Sequence, residues 1–202
     1  MSAKDNTKVA CIVLAAGTSS RFGTTKQLAR IRRKTLIQLA VDCANYSQAD
    51  YAFLVLGHRA SEVLEKTKVG RAQILLNKEF QRGASFSLKT SIANLPSDCK
   101  GALFMAADQP FMNKKDLDEL IRRFKRSPKK IVSLSCEGEP RNPMIIPKRY
   151  FSEIMKLKGD KGAQKIAKKH IRDVILVESG DEKTFLDVDT REDLRRLRKS
   201  RS

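Results

Sequence analysis

Short apolar runs of strand length alternate with stretches of helical periodicity along the first two thirds of the chain. The runs predict strands over Val9–Leu14, Tyr51–Leu56, Ala72–Leu76, Ala102–Ala106 and Ile131–Leu134. The stretches between them predict helices over Thr35–Tyr46, Ser61–Lys68, Ser85–Asn94 and Lys114–Arg126, with Ser61 and Asn113 as N-caps. Strands that are apolar on both faces and separated by helices are typical of a parallel sheet covered on each side. We therefore predict a three-layer α/β/α fold.

The pattern changes after Pro128. Strands are predicted over Asn142–Ile146, Val174–Val177 and Thr184–Val188, and helices over Pro147–Leu157, Gly162–Lys169 and Arg191–Arg198. A mixed tail of this kind commonly adds an antiparallel strand to a parallel sheet. No repeat or linker interrupts the chain, so we expect residues 1–202 to form a single domain with an ordered core at about 8–198.

With 202 residues and 41% hydrophobic content, the chain is long enough to bury a substantial core. No apolar run approaches the roughly 18 residues of a membrane span, and Met1–Asp5 lacks the apolar core of a signal peptide. We therefore expect a cytoplasmic protein with no membrane partner. The four cysteines show no CxxC spacing, which disfavours a zinc site or a disulfide framework. The chain has two histidines, which disfavours histidine-based nucleophilic catalysis.

The chain is strongly basic, with 41 Lys and Arg against 23 Asp and Glu and a formal net charge of +18. The excess is spread over many segments, mostly predicted helices, where it is typical of a solvated face. With no Trp and 6% aromatic residues, no basic stretch is interleaved with stacking rings of the kind that single-stranded nucleic-acid binders use. We therefore expect no specific nucleic-acid partner. The charge favours a general attraction for anionic small molecules.

The most informative feature is the loop after the first predicted strand. Residues 14–26 read Leu-Ala-Ala-Gly-Thr-Ser-Ser-Arg-Phe-Gly-Thr-Thr-Lys. Small residues let backbone N–H groups approach a phosphate, and Arg21 and Lys26 add the positive charge that a triphosphate needs. Because Lys26 follows Gly23 by three residues, the loop matches neither GxxxxGK[ST] nor GxGxxG. The sequence thus indicates a phosphate site of another kind.

This loop resembles the LAAGxSxRxGxxK signature of nucleotidyltransferases that join a nucleoside monophosphate to a phosphorylated acceptor. It is most similar to the molybdenum cofactor cytidylyltransferase and guanylyltransferase group, the MobA-like NTP transferases. Three later segments are similar to motifs of that group, namely Ala106–Pro110, Gly159–Ala163 and Asp187–Leu194. The match therefore runs from about Val9 to about Leu197. It implies a Rossmann-like, mostly parallel sheet of the nucleotide-diphospho-sugar transferase type, with an antiparallel C-terminal addition.

Asp108 follows the fourth predicted strand, at the sheet edge where the loop also begins, and ligands of open parallel sheets bind beyond that edge. A carboxylate here suits Mg²⁺, although an Asp can also serve a turn or a helix cap. A second carboxylate could come from Asp187 or Asp189, which would point to one face of a strand, while Asp189 or Thr190 could cap the final helix. The resemblance favours Asp187 as the metal ligand, because the metal Asp of related enzymes stands three residues before the Thr of this motif.

The resemblance also implies a set of nucleotide-binding residues. They are Leu14, Ala15, Ala16, Gly17, Thr18, Ser19, Lys26, Asn77, Gly83 and Ser85. Ser85 and Ser87 could equally cap a helix. In the resembling enzymes, an Ala-Ala pair at the positions of Ala15 and Ala16 and a Gln after the metal Asp accompany cytidylyl rather than guanylyl transfer. Arg141 stands where the family usually carries Gly, which bears on the identity of the acceptor.

The reaction implied is Mg²⁺-dependent transfer of CMP from CTP to molybdopterin-bound molybdenum, with release of pyrophosphate. The predicted catalytic residues are Arg21, Lys26 and Asp108. A phosphate nucleophile is already ionised near neutral pH, so the protein has to align the reactants and neutralise charge on the leaving group. Two alternatives remain at this point: transfer to a sugar-1-phosphate or another small phosphate, and nucleotide binding without catalysis. The sequence does not indicate an oligomeric state.

Overall fold

The structure is a computed structural model that describes residues 7–199, so the predictions for 1–6 and 200–202 lie outside the described residues. The strands are β1 Lys8–Ala15, β2 Arg30–Ile31, β3 Lys34–Thr35, β4 Tyr51–Leu56, β5 Gln73–Leu76, β6 Cys99–Ala106, β7 Ile131–Cys136, β8 Glu139–Pro147 and β9 Val174–Glu178. The α-helices are α1 Leu36–Tyr46, α2 Ala60–Glu65, α3 Ala84–Ala93, α4 Lys114–Arg126, α5 Phe151–Ile154, α6 Gln164–Lys169 and α7 Arg191–Lys199.

The main sheet has the strand order β5-β4-β1-β6-β8-β7-β9. The first four of these strands run parallel, and β8 pairs antiparallel with both β6 and β7. The short strands β2 and β3 form a separate antiparallel hairpin. The predicted mostly parallel sheet with an antiparallel addition is therefore confirmed.

Alternate residues of β1 belong to two cores on opposite faces of the sheet. Val9 and Val13 pack with α1, α2 and α4, whereas Ala10 and Ile12 pack with α3, α5 and α6. This arrangement follows from the strand period of two and confirms the three-layer prediction. A smaller third cluster lies under α7 and includes Leu36 and Val188.

One predicted strand is wrong. The segment 184–188 contains the end of a 3₁₀ turn, Glu182–Phe185, followed by irregular chain. The Asp181 carboxylate accepts from the Lys183 N–H and starts this turn, and the buried Thr184 hydroxyl lies 3.4 Å from Asp116 Oδ2. The Asp181 bond to the backbone competes with a sheet ladder, so the segment 184–188 does not form the predicted strand.

Two further expectations need correction. Ser61 does not cap α2, because the helix begins one residue earlier, after Arg59 in the left-handed conformation. The predicted helix over 147–157 is shorter, because β8 continues to Pro147 and a 3₁₀ turn precedes the four residues of α5. By contrast, Asn113 does cap α4, with its Oδ1 accepting from the Asp116 N–H at 3.0 Å. No α-helix within residues 7–199 is long and apolar enough to cross a membrane.

Candidate functional site

The loop after β1 is held by a buried glutamine. Gln27 Nε2 donates to the carbonyl oxygens of Ala15 at 3.1 Å and Gly17 at 2.9 Å. Its Oε1 accepts from the Ser19 hydroxyl at 3.0 Å, and Ser19 itself adopts the left-handed conformation with φ 57°. Because Gln27 binds both the start and the middle of the loop, it sets the path of the backbone that the sequence assigned to phosphate binding.

The loop and Asp108 lie side by side, as expected from the shared sheet edge. Leu14 at the end of β1 pairs with Ala106 at the end of β6, and the Ala107 N–H donates to the Leu14 carbonyl at 3.1 Å. The Asp108 carbonyl accepts from the Val188 N–H at 3.0 Å, which brings the C-terminal motif to the same place. Three separated segments therefore meet beyond the carboxyl ends of β1 and β6.

Lys26 is the centre of a charge cluster at this point. Its Nζ lies 2.7 Å from Asp108 Oδ2 and 3.0 Å from Asp189 Oδ1, and Arg21 contacts Asp189 Oδ2 at 3.0 Å. The Lys26 side chain is 15% exposed. Burial alone would lower the pKa of Lys26, but the carboxylates of Asp108 and Asp189 outweigh burial and raise the pKa above its usual value. Lys26 is therefore a protonated, positively charged ammonium group at neutral pH.

Asp187 lies beside this cluster rather than in it. Although the residue is exposed, the protein atoms around its carboxyl group and the nearby charge of Asp108 raise its pKa to about 6. Its side chain accepts a hydrogen bond from Gln109, which opposes the shift. The Asp187 and Asp108 carboxylates are thus close enough to repel each other, an arrangement that a divalent cation relieves.

The cap of α7 decides one of the alternatives left open by the sequence. Thr190 Oγ1 accepts from the Asp193 N–H at 3.1 Å, and the Asp193 carboxylate accepts from the Thr190 N–H at 2.8 Å. This reciprocal pair is a capping box, so Thr190 is the N-cap. The Asp189 carboxylate instead takes part in the ion pairs with Lys26 and Arg21.

A cavity of about 600 Å³ opens over the cluster. Of the residues predicted from the sequence, it is lined by Leu14, Ala15, Ala16, Gly17, Thr18, Ser19, Arg21, Lys26, Gly83 and Asp108. Asn77, Ser85 and Asp187 do not line it. Its size lies in the range of small-molecule sites.

Asn77 and Ser85 lie behind the cavity wall. Asn77 is 3% exposed, and its Nδ2 donates to the Ser87 hydroxyl at 3.1 Å, so it positions a residue that does line the cavity. Ser85 is fully buried at the second position of α3 and its N–H donates to the Gly159 carbonyl at 3.1 Å. Neither Ser85 nor Ser87 caps α3, because the cap position is Gly83, which has no side chain to accept a bond.

The segment Gly159–Ala163 docks on the start of α3. The Asp160 carboxylate accepts from the Ala84 N–H at 3.3 Å. A Cβ atom on Gly83, whose φ is 101°, would lie 2.4 Å from the Gly159 carbonyl carbon. The motif at Gly159–Ala163 therefore touches the predicted nucleotide-binding residue Gly83 backbone to backbone, and the two segments form one wall of the cavity.

Sequence reasoning missed three residues that shape this site. Gln27 holds the loop, Asp160 holds the cavity wall, and the Oδ1 atom of the cavity residue Asn142 is buried without a hydrogen-bond partner within residues 7–199. Asp160 lies in the recognised motif at 159–163, which was the available signal. Asn142 follows Arg141 in a segment that resembles the family, which was its signal. Gln27 gave no comparable signal, because a polar residue beside a loop motif is usually exposed.

Carboxylates, a lysine, an arginine and a small-residue loop at the carboxyl edge of an α/β sheet define a nucleotidyltransferase type of site. Residues 11–174 match the model of the MobA-like NTP transferase domain, so the chain belongs to the MobA-like NTP transferase family. This result confirms the family resemblance, and the matched range includes the loop and the motifs at Ala106–Pro110 and Gly159–Ala163.

Two solved structures that resemble this chain come from mycobacteria. A homologue of Rv0371c from Mycobacterium sp. strain JC1 is 28% identical, with a TM-score of 0.84 and coverage of 98% of each chain. A manganese complex of Rv0371c from Mycobacterium tuberculosis H37Rv is 27% identical, with a TM-score of 0.80, covering 96% of this chain and 100% of that one.

Two curated relatives carry different names. The nicotine blue oxidoreductase of Paenarthrobacter nicotinovorans is 26% identical over 194 residues, which cover 92% of this chain and 94% of that protein. The bifunctional protein GlmU of Thermodesulfovibrio yellowstonii is 29% identical over 118 residues, or 57% of this chain. The match spans 25% of the length of GlmU.

Proposed function

We propose that this protein is a Mg²⁺-dependent cytidylyltransferase that transfers CMP from CTP to molybdopterin-bound molybdenum and releases pyrophosphate. The observation that carries the proposal is the placement of Lys26 between Asp108 and Asp189 beside the β1 loop. Phosphoanhydride chemistry requires a positively charged side chain, carboxylates for a divalent cation and a loop of small residues that a phosphate can approach.

The loop backbone is available for phosphate binding. Within residues 7–199, the N–H groups of Gly17, Thr18 and Ser19 donate to no other protein atom. All three residues line the cavity. Unpaired backbone N–H groups in a small-residue loop bind anions, so we assign these three to the β- and γ-phosphates of the triphosphate.

The charged side chains of the site would have different roles in the transfer. Lys26 and Arg21 would neutralise the charge that builds on the pyrophosphate leaving group as the acceptor phosphate attacks the α-phosphorus. Asp189 bonds to both cations and would orient them. The acceptor phosphate is itself the nucleophile, so the scarcity of histidine is no obstacle.

We assign Asp108 and Asp187 as the Mg²⁺ ligands. Their donor chemistry fits, because Mg²⁺ binds through one or two carboxylates together with phosphate oxygens and water. The pKa of Asp187 is raised by the surrounding protein atoms and then by the charge of Asp108, and a cation bound by both carboxylates would relieve that repulsion. The manganese complex of the 27% identical Rv0371c supports a divalent cation in this family. The bound ion would supply charge neutralisation to the phosphates.

The choice of cytosine rests on Ala15 and Ala16. Both line the cavity while being almost fully buried, at 3% and 4% exposure. Gly57 packs closely against Ala16, because a Cβ on Gly57 would come within 2.9 Å of the Ala16 Cβ. A methyl group at this cavity wall narrows the space for a purine, which favours CTP over GTP.

The proposal is tested by measuring pyrophosphate released from CTP, GTP, UTP, dTTP and ATP with Mg²⁺, each with molybdopterin-bound molybdenum or with a panel of sugar-1-phosphates. We expect release with CTP and the molybdenum acceptor, and none from the Asp108→Asn variant. Release with a sugar-1-phosphate instead would establish the alternative acceptor. Nucleotide binding without release under any condition would leave a binding protein and contradict the proposal.

A further inference from the structure

One buried polar atom at the cavity has no partner in the protein. Asn142 Oδ1 is shielded from solvent and accepts no hydrogen bond within residues 7–199. Four other residues of the described chain also carry an unpaired buried side-chain atom, and none of them lines the cavity: Asn45, Ser85, Gln109 and Ser135. An unpaired buried acceptor costs free energy, and a ligand that donates a hydrogen bond to it removes that cost.

Asn142 lies in a β-bulge. The pairing of β8 with β7 shifts between Met144 and Arg141, so no β7 residue lies opposite Asn142 or Pro143. The pairing of β8 with β6 ends at Met144. The buried Ser133 hydroxyl donates to the Arg141 carbonyl at 2.8 Å, which holds the strand beside the bulge. Bulges next to binding sites redirect side chains, and Asn142 here lines the cavity.

The position of Asn142 in the sheet separates it from the β1 loop. The strand order β1-β6-β8 places β6, which Asp108 follows, between the loop and Asn142. In the proposed transfer the nucleotide lies on the β1 side, with its phosphates on the loop and its base at Ala15 and Ala16. The acceptor phosphate attacks the α-phosphorus in line with the departing pyrophosphate, from the opposite side. The space beside Asn142 is therefore assigned to the acceptor molecule.

The surroundings of Asn142 define the chemistry of the group that it would bind. Leu88, Phe104 and Ala163 line the same cavity and belong to the same core as Met144, two residues after Asn142. The amide oxygen of an asparagine is uncharged and accepts from a neutral N–H or O–H group. A buried acceptor of this kind discriminates against a molecule that lacks the donor, because the acceptor then stays unpaired.

We propose that Asn142 determines acceptor specificity, with its Oδ1 accepting a hydrogen bond from an N–H or O–H group of the phosphorylated acceptor. This inference rests on the proposed function, which supplies the position of the nucleotide. Pterin rings carry N–H donors and sugars carry O–H donors. The experiment therefore uses one acceptor of each kind.

The test is calorimetric titration of wild type and Asn142→Leu with CTP and Mg²⁺, and then with each acceptor. Molybdopterin-bound molybdenum and glucose-1-phosphate are titrated in the presence of α,β-methylene CTP, which cannot release pyrophosphate. Leucine is close to asparagine in size and has no acceptor atom. We expect Asn142→Leu to bind the acceptor at least about tenfold more weakly and CTP within about twofold of wild type.

Two controls separate binding from structure. Asn94→Leu makes the same change at an exposed position outside the cavity, and it should bind all ligands as wild type does. The free energy of unfolding should not fall in Asn142→Leu, because the substitution removes no hydrogen bond to Oδ1 within residues 7–199. A fall in that free energy, with equal weakening of CTP and acceptor, would show a structural role and overturn the proposal.

Three binding results would also overturn it. Weaker binding of CTP with unchanged acceptor binding would assign Asn142 to the nucleotide. Unchanged binding of both would show that Asn142 contacts neither. No binding of either acceptor to the wild type up to about 1 mM would show that these donor groups are not recognised.

A transfer assay distinguishes failure of this inference from failure of the proposed function. Acceptor binding that depends on Asn142, without CMP transfer by the wild type, would contradict the proposed function and support the role of Asn142. CMP transfer by Asn142→Leu with an unchanged KM for the acceptor would support the proposed function and overturn the role of Asn142.

Discussion

The Lys26 ammonium group lies 2.7 Å from Asp108, a residue 82 positions later in the chain. This contact joins the loop after β1 to the segment after β6. In the same geometry Lys26 bonds to Asp189, so a single cation holds two carboxylates that would otherwise repel. A triphosphate that enters this site would compete with the carboxylates for Lys26, and a divalent cation would compete with Lys26 for the carboxylates.

Replacing Lys26 by Ala should separate turnover from cation affinity. We expect transfer to fall about 10²-fold or more, because one charged donor to the leaving group is lost. Binding of Mg²⁺ or Mn²⁺ should become tighter, because Asp108 and Asp189 lose the ammonium group that neutralises them. Single-turnover kinetics and calorimetric titration measure the two effects. Lys78→Ala, at an exposed position, is the control. Wild-type turnover in Lys26→Ala would show that Lys26 is not a catalytic residue.

The three aspartates of the site should differ in their response to Asn. Asp108→Asn and Asp187→Asn should abolish Mg²⁺-dependent activity while weak nucleotide binding persists, since each removes a proposed metal ligand. Asp189→Asn should act more mildly, because it loosens Lys26 and Arg21 but removes no ligand. Activity measured across a Mg²⁺ titration makes the distinction, with Glu65→Gln as an exposed control. Equal sensitivity at Asp187 and Asp189 would contradict the assignment.

Gly83→Ala should disrupt the cavity wall. The new Cβ would lie 2.4 and 2.6 Å from the carbonyl atoms of Gly159, at a backbone φ of 101° that disfavours any side chain. We expect the free energy of unfolding to fall by about 1–3 kcal/mol, with a rise in the KM for nucleotide. Gly180→Ala provides the control, because its Cβ would meet open space. Urea unfolding that is unchanged in Gly83→Ala would show that the contact is not tight in solution.

Asp173 should make the free energy of unfolding depend on pH in the acidic range. Hydrogen bonds from Lys130 and then Tyr150 lower the pKa of Asp173 from 3.8 to about 2 in the folded protein. A lowered folded pKa stabilises the protein above the unfolded value, and this stabilisation is lost as the pH falls towards 2. Asp173→Asn should therefore destabilise the protein at pH 7 and differ less from wild type near pH 2.5. Urea titrations at both pH values, with Glu178→Gln as control, test this; a constant difference would contradict it.

Much of the fold could be predicted because the strands β1, β4 and β6 are apolar on both faces and have few alternatives. The segment 184–188 shows the limit. Its apolar residues resemble a short strand, yet Val188 packs in the cluster under α7, Leu186 is exposed and Thr184 bonds to Asp116. The sequence pattern shows which residues are apolar but not which neighbours they contact. Tertiary contacts therefore determine the conformation of this segment.

The candidate site was predictable where it depended on the sheet edge. Lys26 and Asp108 follow strands that the parallel order places side by side, so their proximity follows from topology. The role of Gln27 was not predictable, because nothing in sequence distinguishes a buried glutamine that holds a loop from an exposed one. The pairing of Asp189 with Lys26 depends on Thr190 taking the cap of α7, a choice between adjacent residues that only geometry makes.

The most direct test of the cytidylyl assignment is a side-by-side comparison of CTP and GTP as substrates, with molybdopterin-bound molybdenum as acceptor and Mg²⁺ present. We predict a preference for CTP of at least about tenfold in kcat/KM, equivalent to roughly 1.4 kcal/mol of differential transition-state binding. Ala16→Gly should reduce this preference without inverting it, because one methyl group is removed while the other cavity contacts stay. A wild-type preference for GTP would contradict the account.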